Sequence, residues 1–348
     1  MVKIVPIMFV LFFLFASGCG APDVAETEPA EPAEGEEVDR EAEPVEEVEL
    51  VMYSPTDPGH AYTLACDRLA DLVYERTDGV ISINVVPGGA LGSTREAMES
   101  VTVGTIEMAI MSTAEQSAYI DRMKVFDLPF LFPDMETLTN VVTGDLYEEL
   151  ASEWEKQDVK LLALGGAGYR IVASKEKIEV PEDMEGKSIR TIQTPIMRST
   201  FEALGASPTP MDWGETYTSI ETGVIDGVET AISAIVDAHI HEVAPYFANT
   251  NHAVSAFGLV MNLDTYKSLT EDQKKIMLES AKEAAPVAMD EIMGRVDEYE
   301  QRVIDSGGEV TEVDMEIFQE KVTPVYDMLR EELGDDYIDR VLGLIEEG

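Results

Sequence analysis

The sequence predicts an α/β fold, and three observations carry the prediction. Short apolar segments alternate with amphipathic ones along most of the chain. Several of the short segments are apolar on both faces, as in strands of buried parallel sheets. Apolar residues make up 45% of the 348-residue chain, enough to bury a core of roughly two domains' size.

The elements follow in order. Val48–Tyr53 reads as a first strand and His60–Glu75 as an amphipathic helix. Its face carries Tyr62, Cys66, Leu69 and Val73, which makes Cys66 a core thiol. In 80–86, Ile81, Ile83 and Val85 alternate with Ser82 and Asn84, the period of a strand. Thr94–Val103 reads as a helix, Glu107–Ser112 as a buried strand, Met135–Lys156 as a helix and Val159–Leu164 as another buried strand.

The second half repeats the theme. Lys187–Ile192 is strand-like, and Thr194-Pro195 opens a helix with a capping hydroxyl followed by proline at the first helical position. Gly205 ends it. Asp212-Trp213-Gly214-Glu215 offers a D-x-x-E start to the next helix, and Val224–Val228 reads as a short strand. From Thr270 to Ser306 the pattern is one long helix, with Pro286 as a kink.

The first residues are a targeting segment rather than fold. Met1–Gly18 has a positive start at Lys3, an uncharged apolar run over Ile4–Phe15, and small residues before Cys19. The run is short for a bilayer span, and no later segment offers one. Small residues directly before a cysteine resemble a bacterial lipobox, whose cysteine is acylated. Ala16 departs from it, since leucine is preferred there. The resemblance implies a lipid anchor at Cys19 in an extracytoplasmic membrane location. Residues 19–47 are rich in Ala, Pro and Glu, cannot form a core, and read as an extended tether.

Composition excludes several functions. With 69 acidic and 24 basic residues the net charge is −45, which repels nucleic acid. The acid coat fits a surface adapted to high salt; a cationic partner is the alternative reading. Two cysteines allow no disulfide framework and no cysteine zinc site. Gly186-Lys187-Ser188 is no phosphate loop, because Pro181 stands where the first glycine belongs and acids crowd the segment. Gly166-Ala167-Gly168 lacks the third glycine of a dinucleotide fingerprint, and there is no G-x-S-x-G elbow. His239 and His241 would pair on a metal in an extended chain, but the pattern there reads as helix, where residues two apart diverge. No metal, cofactor or catalytic constellation is expected.

Several motifs follow one another in order: Pro87–Gly92 with Arg95-Glu96 and Glu99-Ser100-Val101, Leu128–Phe132, and Gly168-Tyr169-Arg170. The longest run goes from Val180 through Arg190 and Leu204–Met211, then Trp213, Glu215 and Tyr217, to Thr222–Gly227. In this order they resemble the solute-binding proteins of TRAP transporters, the DctP family.

The resemblance implies a two-lobed fold of the periplasmic-binding-protein kind, hinged, with the long helix crossing both lobes. One lobe would comprise 48–168 and 255–290, the other 169–254 and 291–348. It places the family's carboxylate-binding arginine on Arg190 and a helping arginine on Arg170. The family pattern D-G-x-E-N-P reads here Asp226-Gly227-Val228-Glu229-Thr230-Ala231, so Thr230 stands where an asparagine often touches ligand.

The residues support this reading in part. Arg190 lies near the carboxyl end of a strand that leads into a helix, where open α/β sheets bind ligands. Helix N-termini favour anions, and a guanidinium can grip a carboxylate with two parallel bonds. A salt bridge to one of the many acids is the other reading of Arg190. Trp213 is either a stacking wall or core, and Ser112 and His60 are further polar contacts. The implied function is capture of a small carboxylate-bearing solute and its delivery to the TRAP permease membrane subunits. An extracytoplasmic enzyme acting on an organic acid is the alternative, and a receptor that signals to a membrane sensor is a third reading.

Overall fold

Nine strands form one twisted sheet in a computed structural model that describes residues 47–347. They are β1 Val48–Tyr53, β2 Ile81–Val86, β3 Met108–Ser112, β4 Val159–Ser174, β5 Ser188–Thr191, β6 Ser207–Pro210, β7 Gly227–Ala231, β8 Tyr246–Asn262 and β9 Glu309–Glu312. The order is β2-β1-β3-β8-β4-β7-β5-β6, with β9 on β8.

Two long strands hold the two lobes together. The end of β8, from Phe257 to Asn262, pairs with β3 on one side and with the start of β4 on the other. The end of β4, Arg170–Ser174, pairs with β7 and with the start of β8, which also carries β9. The first lobe is thus built on β2-β1-β3 and the second on β7-β5-β6. The register slips between Gly166 and Tyr169, midway along both long strands. Glycines make that crossing possible. A Cβ on Gly165 would stand 2.6 Å from the Phe257 ring, and one on Gly166 would stand 2.6 Å from Leu138. Gly168 has φ +82°, a left-handed backbone that other residues rarely adopt. The glycines that fail as a nucleotide fingerprint therefore serve the crossover.

Alternation along the strands feeds two cores, one on each face of the sheet. On β8, Ala248, Val254, Ala256 and Val260 join the core under the helices Met135–Thr143, Pro195–Ala203 and Met315–Leu333. Phe247, Phe257, Leu259 and Met261 join the other, with the helices Ala61–Arg76 and Glu271–Met293. Cys66 lies fully buried in the second core, and burial pushes its thiol pKa well up.

Several expectations need correction. The sheet is mixed rather than parallel, because β8 runs antiparallel to both β3 and β4. The strand expected at Val159–Leu164 continues to Ser174, and β8 has no counterpart in the sequence reading. The strand expected at Val224–Val228 lies at Gly227–Ala231. Gly144 divides Met135–Lys156 into helices Met135–Thr143 and Asp145–Glu155. The long helix is also two: Glu271–Met293 holds Pro286 in its interior, and Gly294-Arg295 separates it from Val296–Asp305. The first piece packs on Ala61–Arg76 and β4, the second on the Ile232–Asp237 helix and β9, so the helical path still passes from one lobe to the other. Asp212 makes no side-chain cap; a short 3₁₀ turn, Trp213–Glu215, precedes the helix Thr216–Glu221. Among the described residues no helix is long and apolar enough to cross a membrane.

Candidate functional site

β5 delivers Arg190, and the local sequence explains how. Thr194 caps the following helix by accepting from the Met197 N–H at 3.2 Å, and Pro195 opens it. Strand and helix are thus joined by a tight turn, and Arg190 stands beside it. Register puts Arg190 opposite Val228 of β7. Thr230, two residues further along β7, therefore shares the face of Arg190.

Arg190 is 5% exposed. Its Nε and Nη2 donate to the Met211 carbonyl at 3.1 and 2.9 Å, and the Trp213 ring lies 5.6 Å from its guanidinium carbon. Among the described residues no carboxylate lies within ion-pair distance of it. Burial pulls its pKa down to about 10, further lowered by Arg170, while the carboxylates of Glu229, Glu115 and Asp212 act the other way. The solvated salt bridge that sequence allows is not what the structure holds.

Arg170, on β4, has the opposite surroundings. Its Nε donates to Glu229 Oε2 at 2.7 Å, and its Nη2 to Glu229 Oε1 at 2.9 Å and the Glu229 carbonyl at 3.1 Å. Both side chains are buried. The same carboxylate receives the Ile192 N–H at 3.1 Å and faces His252 Nε2 at 3.4 Å. Burial alone would raise the Glu229 pKa; Arg170 and His252 outweigh it and hold the group at about 2. His252 itself is lowered, because its burial outweighs the pull of Glu229. Its Nδ1 lies 2.8 Å from the Thr250 hydroxyl.

The remaining predicted residues make contacts of their own. Ser112 is buried, but its hydroxyl donates to Glu115 at 2.8 Å as part of a helix cap. His60 caps the helix Ala61–Arg76, its Nδ1 accepting from the Tyr62 N–H at 3.2 Å. Its ring stands edge-on to Tyr62 at 5.4 Å, and burial holds its pKa near 4, so it is neutral. Thr230 is buried on β7. Trp213 is half-buried, packs against the second core and faces Arg190. Cys19 lies outside the described residues.

Sequence reasoning passed over Glu229, His252 and Asp127. A lone acid inside the buried strand Gly227–Ala231 is a detectable signal, since such a charge demands a partner. Asp127 has Oδ2 buried and, among the described residues, without a hydrogen-bond partner. Burial drives its pKa up to about 7, against the pull of Arg170 and a hydrogen bond with Thr194.

Known proteins resemble this chain in sequence and in fold. Residues 53–332 match the DctP family, described as bacterial extracellular solute-binding protein, family 7. The chain is 30% identical over 273 residues to the 2,3-diketo-L-gulonate-binding periplasmic protein of Escherichia coli, covering 77% of this chain and 81% of that one. It is 26% identical over 276 residues to the C4-dicarboxylate-binding periplasmic protein of Rhodobacter capsulatus, covering 78% and 83%. Among solved structures, a TRAP periplasmic solute-binding protein of Roseobacter denitrificans with bound β-D-glucuronate superposes with a TM-score of 0.80 at 27% identity, covering 85% of this chain and 98% of that one. One from Sulfitobacter with β-D-galacturonate gives 0.81 at 25% identity, covering 86% and 100%. The match spans nearly the whole folded chain in both sequence and structure, and on that ground the chain belongs to the bacterial extracellular solute-binding protein family 7 and is a solute-binding receptor of the TRAP transporter type.

Proposed function

We propose that this receptor captures a small organic acid, with Arg190 as the group that takes its carboxylate, and delivers it unchanged to the TRAP permease subunits. The observation that carries the reading is the Arg190 guanidinium: buried, charged, and among the described residues hydrogen-bonded only to the Met211 carbonyl. A desolvated cation without a counter-charge favours an anion that brings one. Arg170 is already neutralised by Glu229, so it shapes the site and orients its neighbours. Trp213 forms a wall beside the guanidinium, and Thr230 lies on the same face. Galacturonate and glucuronate, bound in the similar structures, are carboxylates held within this fold.

In this reading the lobes are 48–168 with 255–290, and 169–254 with 291–348. They close on the ligand, and no bond of the solute is made or broken. The chain reaches its partner from a lipid anchor on Cys19 through the tether at 19–47. Two acyl chains are needed for a stable anchor, so a Cys19→Ser protein should move to the soluble fraction. Equal membrane retention of both proteins would remove the anchor from the account.

A thermal-shift screen of organic acids against neutral sugars tests the ligand class. A ligand that binds only the native state stabilises by about 2.7 kcal/mol at ~100 times its dissociation constant. Hits should fall among the acids. A best hit without a carboxylate would overturn the assignment of Arg190.

A further inference from the structure

A second cluster of ligating side chains lies on the turn that follows the Ile232–Asp237 helix, apart from the residues gathered around Arg190. We propose that His239, His241 and Glu242 form a binding site for a zinc-class divalent cation. The sequence pattern predicts a continuing helix, in which the two histidines would point apart. The backbone does otherwise. His239 adopts φ 58°, a left-handed conformation, and a short 3₁₀ turn, Ile240–Glu242, follows it. The turn stacks the two imidazoles, with ring centroids 6.0 Å apart and planes 28° from parallel.

The three side chains each offer a donor atom, and these atoms lie within 4.8 Å of one another. His239 Nδ1 and Glu242 Oε1 are 3.2 Å apart. Ligands held ~2.1 Å from a tetrahedral zinc stand roughly 3.3 Å from each other, so this pair already has the spacing of a chelate. His239 and Glu242 are exposed side chains, free to draw in on a third donor. His241 supplies an anchored one: it is 7% exposed, and among the described residues its Nδ1 has no hydrogen-bond partner. A buried imidazole nitrogen without a partner carries a desolvation cost that a metal or a donor would relieve.

Two imidazoles and one carboxylate select among cations. Nitrogen donors suit zinc, nickel, copper and cobalt, whereas calcium and magnesium prefer all-oxygen sites. This matters in a chain of net charge −45, whose carboxylates attract any cation weakly. The histidines are what would separate a site from that background. With three protein donors the remaining positions fall to water.

The test titrates the full chain with Zn²⁺ against a chromophoric chelator, with Mg²⁺ in excess to occupy surface carboxylates. A parallel Co²⁺ titration reads the visible absorption of nitrogen ligation. The wild type should bind one equivalent of Zn²⁺. His239→Gly should weaken binding by at least about tenfold, the loss that even outer-shell partners of a metal produce. Glycine suits the left-handed backbone at 239, so this variant keeps its fold, and Glu242→Gln provides an independent exposed substitution. Stabilisation of each variant by an organic acid should be unchanged, since neither residue belongs to the Arg190 site. Failure of the acid screen therefore leaves this result untouched. Equal Zn²⁺ affinity in the wild type and His239→Gly overturns the proposal, as does the lack of stoichiometric Zn²⁺ binding over excess Mg²⁺.

Discussion

Arg170 and Arg190 stand in neighbouring parts of the same site and are equally buried, each 5% exposed, yet they face opposite electrostatic situations. Arg170 has its own carboxylate, gripped through two nitrogens and steadied by His252 and the Ile192 N–H. Arg190 has a carbonyl oxygen and an aromatic face. Burial is therefore a poor guide to role here. The difference lies in the counter-charge: Arg170 has one within the fold, and in the proposed reading Arg190 receives one from a ligand.

The comparison breaks most severely at Glu229. Glu229→Ala leaves Arg170 charged, buried and unpaired. Removing one partner of a buried pair costs about 3–5 kcal/mol of stability. Urea unfolding of the apo protein should show that loss. A change below ~1 kcal/mol would mean that water or rearrangement replaces the pair, and the contrast between the arginines would weaken.

A pH series sharpens it next, through Asp127. Its carboxyl titrates near 7 in the fold and near 3.8 when free. The native state holds the proton more tightly between those values, so stability from this group is full below about pH 4 and lost as pH rises through 7. The melting temperature of the wild type relative to Asp127→Asn should fall from pH 5.5 to pH 8. A constant difference would place Asp127 in a wetter setting than the structure shows. Glu229 has the reverse sign: held at about 2, it stabilises above its ordinary value of 4.5, and that contribution disappears as the medium is acidified through 2.

The smallest effect belongs to Trp213. A cation–π contact at a partly exposed position contributes about 0.5–1 kcal/mol, rising to ~2 when desolvated. Trp213→Leu keeps apolar bulk against the second core but removes the aromatic face, so apo stability should fall by no more than about 1 kcal/mol while ligand affinity drops by a factor of several. Loss of stability without loss of affinity would reduce Trp213 to packing.

Much of this was legible in the chain. Val48–Tyr53 and Thr94–Val103 lie where periodicity places them, and Thr194-Pro195 begins its helix as capping rules require. Both arginines were legible only through family motifs, since neither spacing nor composition separates them from the other basic residues. β8 escaped because it is buried on both faces and carries polar residues from Asn249 to His252 midway. Those residues lie opposite the register shift between Arg170 and Val172, where Asn249 donates to Glu300 and His252 faces Glu229, so they depart from the alternation of a half-buried sheet. The break at Gly294 escaped for another reason. A single glycine is tolerated inside a helix, and here Gly294 and Arg295 separate two helices that both bury residues in the second core. His239 shows the same limit, since nothing in the helical pattern around it marks its left-handed φ of 58°.

The central claim is that Arg190 serves the ligand and Arg170 the fold, and one set of calorimetric titrations tests it. The wild type, Arg190→Ala and Arg170→Ala are titrated with the best acid from the screen, and each apo protein is melted in parallel. Losing one partner of a buried charge pair costs roughly 2–5 kcal/mol, about 30- to several-thousand-fold in affinity. Arg190→Ala should lose that much affinity while its apo melting temperature stays near the wild-type value. Arg190→Lys should also bind poorly, because it keeps the charge but lacks the planar fork. Arg170→Ala should lose apo stability first. Near-wild-type affinity in Arg190→Ala, or a collapse of its apo fold comparable with that of Arg170→Ala, would contradict the account.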